Sequence, residues 1–192
     1  MIRRTFVDSA FRGFPLVVLL SFAMSECAFA VVIIQSAINP ANLHNYHLLA
    51  ADDGFSGVQP VDAEAFALNL GGHLATINDA AEDVWVHTTF NEFYLWIGLN
   101  DVAQEGQFVW YSGEPVTYTN WYPSEPNDNG GIEDWVQIYN FSSGGYQWND
   151  GPNIAFNGFE VYAVAEVVPE PSSSVLAALG LVGLVAWRRL RR

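Results

Sequence analysis

Between Gly13 and Trp187 the chain contains no lysine and no arginine. Its seven basic residues are all arginines and all lie at the ends: Arg3, Arg4, Arg12, Arg188, Arg189, Arg191 and Arg192. Of the 21 acidic residues only Asp8 and Glu26 precede residue 31. A domain built from the middle of this chain cannot form Lys or Arg salt bridges, and its charge repels nucleic acid and anionic lipid.

The oxygen-bearing side chains are not spread evenly. Asp101, Glu105, Glu125, Asn127, Asp128, Glu133, Asp134, Asn149 and Asp150 crowd one stretch, among Gly, Pro, Asn and Trp that read as loop and short strand. A hard divalent cation such as calcium takes about six to eight oxygens from carboxylates, amide carbonyls and backbone. With no Lys or Arg nearby to neutralise the cluster, a metal is the expected counter-charge. Solvated turn residues are the plain alternative, since Asp, Asn and Gly favour turns in any case.

Both ends read as addressing segments. A basic start, the apolar run from Phe14 to Met24 and Ala28-Phe29-Ala30 form a secretory signal over residues 1–30, with an A-x-A cleavage site after Ala30. Cys27 is the single cysteine and leaves with it, so the mature chain can form no disulfide. At the other end, Val168-Pro-Glu-Pro171 is followed by three serines, an apolar stretch from Val175 to Trp187 and an arginine cluster. That stretch is short of the roughly 20 residues of a durable membrane span. Residues 168–192 together resemble the PEP-CTERM sorting signal of Gram-negative bacteria. The resemblance implies recognition and removal by a membrane-embedded exosortase, membrane contact only through this segment before processing, and delivery to the cell surface, outer envelope or extracellular matrix.

The middle reads as one α+β domain. Residues 31–42 are expected to be a poorly fixed lead-in, and Asn45 to Ala50 a first strand. Asp62 to Leu70 places Ala63, Phe66, Ala67 and Leu70 on one helical face and is stopped by Gly71-Gly72. A short strand, His73 to Ile77, precedes a second helix capped by Asn78, with Ala81, Val84, Trp85 and Thr88 at helical spacing. Beyond residue 92 the pattern becomes β: 94–97, 107–111, 135–139, 146–148 and 159–168 are short, aromatic and β-branched. The stretch 112–134 holds no regular element, and a loop of that length inside a compact domain is usually functional or disordered. His44, His47, His73 and His87 lack metal-ligand spacing and read as structural or surface residues. Trp96, Trp110, Trp121 and Trp148 read as core rather than sugar-stacking platforms.

Seven segments in order, Leu70-Gly-Gly-His-Leu-Ala-Thr-Ile77, Trp96-Ile-Gly-Leu-Asn-Asp101, Glu105-Gly-Gln-Phe108, Asn120-Trp121, Glu125-Pro126-Asn127, Glu133-Asp134 and Trp148-Asn-Asp150, resemble the C-type lectin-like domain. The resemblance covers residues 43–168. It implies two helices packed on short antiparallel sheets with a long calcium-binding loop. Carried over by position, the principal calcium is held by Glu125, Asn127, Glu133, Asn149 and Asp150. The auxiliary calcium is held by Asp101, Glu105, Asp128, Glu133 and Asp134. The Glu125-Pro126 bond is cis in the family, and only X-Pro bonds tolerate that isomer cheaply.

Sugar recognition follows from the chemistry of these groups. A Glu can give one oxygen to a metal and accept a sugar hydroxyl with the other; an Asn can give its carbonyl and donate with its NH₂. Glu125/Asn127 and Glu133/Asn149 thus match two neighbouring hydroxyls. The E-P-N order of the family implies equatorial hydroxyls of the mannose, fucose or N-acetylglucosamine type. The sequence departs from the family at its four disulfide positions, which read Ala67, Trp135, Asn153 and Ala165. Two other readings compete with calcium-dependent sugar binding. One is a calcium-stabilised domain that binds a protein or ice surface, since fold does not imply function. The other is a glycosidase, disfavoured because every candidate carboxylate pair is already claimed as metal ligands.

Overall fold

The structure is a computed structural model that describes residues 30–53, 57–141, 145–153 and 160–169. The signal segment up to residue 29 and the tail from residue 170 lie outside the described residues. Eight strands and two helices follow in the order β1 (Val31–Ile38), β2 (Asn45–Ala51), α1 (Pro60–Asn69), β3 (His73–Leu74), α2 (Ala80–Phe90), β4 (Tyr94–Asn100), β5 (Val109–Trp110), β6 (Trp135–Phe141), β7 (Gly145–Gly151) and β8 (Tyr162–Val167). The strands form one sheet in the order β1-β2-β8-β4-β6-β7, with β3 on β8 and β5 on β4. The pairings are antiparallel except β4 with β8, so the sheet is mixed.

Strand β4 is buried from Leu95 through Asn100 because both faces are covered, which explains its unbroken apolar run. Leu95, Ile97 and Leu99 join Val86, Phe90, Trp110, Ile138 and Trp148 in one core. Trp96 turns to the other face and joins Ala63 and Ala67 of α1, Leu74, Trp135 and Ala165 in a second. Trp96, Trp110 and Trp148 are core residues as the sequence suggests, while Trp121 is half-buried against the first core.

Helix α1 ends as the sequence predicts. Gly71, at φ +82°, bonds its N–H to Leu68 O, and Gly72 N–H reaches Ala67 O, a Schellman closure. Gly72 has a second duty: a Cβ there would lie 2.0 Å from Glu166 O on β8.

Three local expectations are corrected. The expected lead-in is strand β1, which pairs with β2 from Val31↔Ala51 to Ile38↔Asn45. The second helix is capped by Asp79, not Asn78: the Asp79 carboxylate accepts from Ala81 N (2.8 Å) and Glu82 N (2.9 Å), and Glu82 accepts from Asn78 N (2.8 Å). The buried face of α2 is not Ala81, Val84, Trp85 and Thr88. Val84 is 53% exposed, and the helix buries Glu82, Asp83, Val86 and Phe90 instead.

Those acids can be buried because donors surround them. Tyr46 OH lies 2.5 Å from Glu82 and 2.9 Å from Glu166; Glu166 also meets His44 (2.5 Å) and Thr76 N (3.0 Å). Glu64 on α1 accepts from Leu74 N (2.8 Å) and meets His73 (2.7 Å), tying helix to strand. Burial, then the nearby Glu166 carboxylate among its causes, pushes the Glu82 carboxyl above its ordinary value, while the hydrogen bonds from Tyr46 and Asn78 pull the other way.

The disulfide positions are filled without sulfur. Ala67 and Ala165 are both fully buried between α1 and the sheet, and Trp135 is buried with its Nε1 donating to Tyr111 OH at 3.0 Å. Because the contact at Gly72 is with backbone, the expected outcome of Gly72→Ala is a loss of about 1–3 kcal/mol or more in a denaturant melt. An unchanged midpoint would show that α1 and β8 separate freely.

Candidate metal centre

The sheet delivers three parts of the acidic cluster from different directions. Asp101 leaves the end of β4, Asn149 and Asp150 lie on β7, and Glu133 and Asp134 lead into β6. The segment Glu125–Asp128 comes from the long loop, fixed by the cis bond Glu125-Pro126 and by left-handed backbone at Ser124 (φ 89°) and Asp128 (φ 44°). The loop also runs beside β7: Trp148 N donates to Asn120 O (2.7 Å), Tyr122 N to Trp148 O (2.9 Å), and Glu125 N to Tyr122 O (2.9 Å).

Asp150, 1% exposed, is the hub of the larger group. Its carboxylate accepts from Asn127 N at 3.0 Å and Asp128 N at 2.8 Å. Beside it, Asn127 Nδ2 donates to Glu125 Oε2 at 2.5 Å, and Asn149 Nδ2 donates to the Asp150 carbonyl. Glu133 accepts from Asn129 N at 2.7 Å, and Asp128 accepts from Glu133 N at 3.3 Å. Desolvation, then hydrogen bonding and charge from Asp150, raises the Glu125 carboxyl to about 7. Desolvation and the charges of Asp150 and Asp128 raise Glu133, against the Asn129 amide.

A second group holds Asp101, Glu105 and Asp134, each of which offers an oxygen within 4.8 Å of the others. Asp101 is 1% exposed; Oδ2 accepts from Gly106 N at 2.8 Å, but Oδ1 is buried without a hydrogen-bond partner. Desolvation and the neighbouring Asp134 charge raise the Asp101 carboxyl, and partial desolvation with the charges of Asp101 and Asp128 raises Glu105. Asp128 lies close enough to act on Glu105 by charge, yet its side chain turns to the Glu133 amide. An orphaned buried carboxylate oxygen facing two further carboxylates, with no Lys or Arg between Gly13 and Trp187, is a donor set that suits a hard cation.

All nine oxygen-bearing residues singled out in the sequence fall in these two groups or between them. The histidines are elsewhere: His44 and His73 face Glu166 and Glu64, His47 meets Ser36, and His87 stacks on Tyr146. Asp83 was missed. It lies in α2, away from the loop in sequence, and a helical acid carries no local signal of burial. A periodicity that counted acids as candidates for a buried face would have found it.

Residues 61–155 match the Lectin C-type domain family, and residues 167–192 match the PEP-CTERM protein-sorting motif. The mouse low affinity immunoglobulin epsilon Fc receptor is 39% identical over 97 residues, 50% of this chain and 28% of the receptor. An alpha-N-acetylgalactosamine-specific lectin of Patiria pectinifera is 43% identical over 86 residues, 41% of this chain and 50% of that lectin. The chain thus spans half or less of the length of these relatives. The cow carbohydrate-recognition domain of CD23, whose crystal structure was determined in the presence of a GlcNAc2Man3 oligosaccharide, has a TM-score of 0.52 at 29% identity, over 75% of this chain and 97% of that one. The chain carries a C-type lectin domain followed by a PEP-CTERM sorting motif, the mark of an export-sorted bacterial protein. Such domains are typically non-catalytic binding modules. Among the described residues no helix is long and apolar enough to cross a membrane; the apolar stretch 175–187 lies outside them.

The raised Glu125 carboxyl fixes the sign of a pH effect on metal-free protein. Its folded value of about 7 exceeds its ordinary 4.5, so the folded state binds the proton more tightly and stability falls as pH rises toward 7. In chelator, the melting temperature is expected to rise as pH is lowered from about 8 to about 6.5. His47 and His87, which burial pushes down, oppose that rise as pH nears their unfolded value of 6.5, so the Glu125 contribution is read as the difference between wild type and Glu125→Gln. The slope should be smaller in Glu125→Gln; equal slopes in both proteins would place the proton elsewhere.

Proposed function

We propose that residues 43–168, with β1 added to their edge, bind carbohydrate through calcium held by Glu125, Asn127, Glu133, Asn149 and Asp150. Asp101, Glu105, Asp128, Glu133 and Asp134 hold an auxiliary calcium. The observation that carries this reading is the gathering of Glu125, Asn127, Glu133 and Asn149 around the buried Asp150, with no basic residue to neutralise them. Bound calcium supplies a Lewis-acidic centre for two sugar hydroxyls. The protein's part is to hold each Glu–Asn pair so that one oxygen accepts a hydroxyl proton and one NH₂ donates beside it. Three carboxylates in the principal set suit the weak affinity of extracellular calcium modules, Kd about 10⁻⁴ to 10⁻³ M.

The sugar class rests on the family resemblance: the family's E-P-N order, matched at 125–127, implies mannose-, fucose- or N-acetylglucosamine-type hydroxyls. After export, an exosortase removes the C-terminal segment, and the domain acts at the cell surface, outer envelope or extracellular matrix of a Gram-negative bacterium. A second reading keeps the calcium but replaces the sugar with a protein surface. It is favoured by the similarity to a protein named as an immunoglobulin receptor.

A glycan array read with calcium and with chelator separates the two. Chelator-sensitive glycan signal supports sugar binding; measured calcium uptake with no glycan signal favours the protein partner. At a Kd of about 1 mM, calcium at about 10 mM is expected to stabilise the domain by about 1.4 kcal/mol, a rise of several degrees in melting temperature. An unchanged melt with calcium and chelator would overturn the metal reading. Combining Glu125→Gln with Asn127→Asp exchanges donor and acceptor at constant charge, and should move preference toward galactose-type hydroxyl pairs. Retention of the original preference would show that these two side chains do not read the sugar.

A further inference from the structure

Asp83 sits in the first turn of α2 and is 1% exposed. A carboxylate so buried, in a domain that offers no Lys or Arg, needs several strong donors to be tolerated. Three reach it: Tyr118 OH (3.0 Å) and Asn120 Nδ2 (2.8 Å) on Oδ2, and Trp148 Nε1 (3.2 Å) on Oδ1. The donors come from two separate segments. Tyr118 and Asn120 open the long loop, and Trp148 precedes Asn149 and Asp150 on β7. The Trp148 indole is itself enclosed edge-on by Trp110, Tyr118 and Trp121, with centroids 5.6–5.9 Å away.

We propose that Asp83 is a positioning residue for the principal calcium site, setting the register between the loop that carries Glu125 and Asn127 and the strand that carries Asn149 and Asp150. The inference rests on the calcium reading above. From Asp83 one path runs through Trp148 straight to Asn149 and Asp150. The other runs through Asn120, whose carbonyl accepts from Trp148 N, and on through Tyr122, whose carbonyl accepts from Glu125 N. Asp83 belongs to neither group of candidate ligands; it fixes the spacing at which the two halves meet. Without its carboxylate, the Trp148, Asn120 and Tyr118 donors lose their shared acceptor, and nothing on α2 holds the loop to β7 at that point.

The test is calcium titration calorimetry on the full chain, comparing wild type, Asp83→Asn, Tyr118→Phe and Asp150→Asn, with amide hydrogen exchange of each in chelator. Asp83→Asn should weaken calcium binding about tenfold or more, Tyr118→Phe by less, and exchange should quicken over residues 118–128 and 146–150 but not in β2 or β8. A purely structural role would lower the chelated melting temperature and leave calcium affinity unchanged. Wild-type uptake matched by Asp83→Asn overturns the inference. If Asp83→Asn does not fold, wild-type affinity and exchange in Tyr118→Phe overturn it equally. Absence of uptake by wild type defeats the calcium reading itself, a separate result.

Discussion

Carboxylates without cations govern this molecule. In most domains a buried Asp or Glu is neutralised by Arg or Lys; here the fold must supply other donors for each. Glu64 takes a backbone amide and His73, Glu82 takes Tyr46 and Asn78, Glu166 takes Thr76 and His44, and Asp83 takes Tyr118, Asn120 and Trp148. Each of these acids joins separate elements, all but Glu64 across long separations in sequence. Glu64 ties α1 to β3, the Glu82–Tyr46–Glu166 cluster ties α2 to β2 and β8, and Asp83 ties α2 to the loop and β7. The acids serve as cross-links because a carboxylate presents two oxygens that can each accept from a different segment.

The same rule sets the candidate metal centre apart. Asp101 keeps a buried oxygen with no donor, and Glu125 is pushed toward neutrality by desolvation and then by the neighbouring Asp150 and Glu133. Donor supply is generous in the structural clusters and deficient here, although both sets draw on the same acid-rich chain. A divalent cation would remove the deficit in one step, which is why the two kinds of acid need different explanations. The missing disulfides fit the same picture. The bond that would join α1 to β8 is replaced by the Ala67–Ala165 packing and the Glu64 clamp, and the base of the loop is held by the Trp135–Tyr111 bond and the pairing of the loop with Trp148.

What could be read from the sequence divides along local and non-local lines. The strands were legible where aromatic and β-branched residues alternate, and the end of α1 where two glycines close it. The candidate ligand residues stand out because their family order is a local pattern, although the spatial meeting of 125–128 with 149–150 is not local at all. Strand β1 was missed because a β-branched run behind a signal segment gives no sign of a partner; only pairing with β2 makes it a strand. Helix α2 was misjudged on its face for a physical reason. Apolar periodicity puts Val84 inside, but Asp83 is buried instead because Trp148, Asn120 and Tyr118, donors from remote segments, would otherwise be left buried or half-buried without that acceptor. The mixed character of the sheet was hidden too, since the parallel pairing of β4 with β8 depends on a crossover between them.

Backbone strain in the loop is placed where the ligands are. Ser124 and Asp128 adopt left-handed backbone without being glycine, and they flank the turn that presents Glu125 and Asn127. Such conformations persist only where the surroundings over-determine them. The Asp150 carboxylate supplies that constraint from one side by accepting both Asn127 N and Asp128 N, and the Asp128 side chain closes the next turn onto Glu133 N. Asp150 is therefore both a scaffold residue and a candidate ligand. Its Oδ2 already accepts two amides, so metal coordination would fall most easily to Oδ1, which has only the longer 3.2 Å contact to Asn127 N. The turn between Glu125 and Asp128 is thus held by the protein's own hydrogen bonds, from the Asp150 carboxylate on one side and the Asp128 side chain on the other.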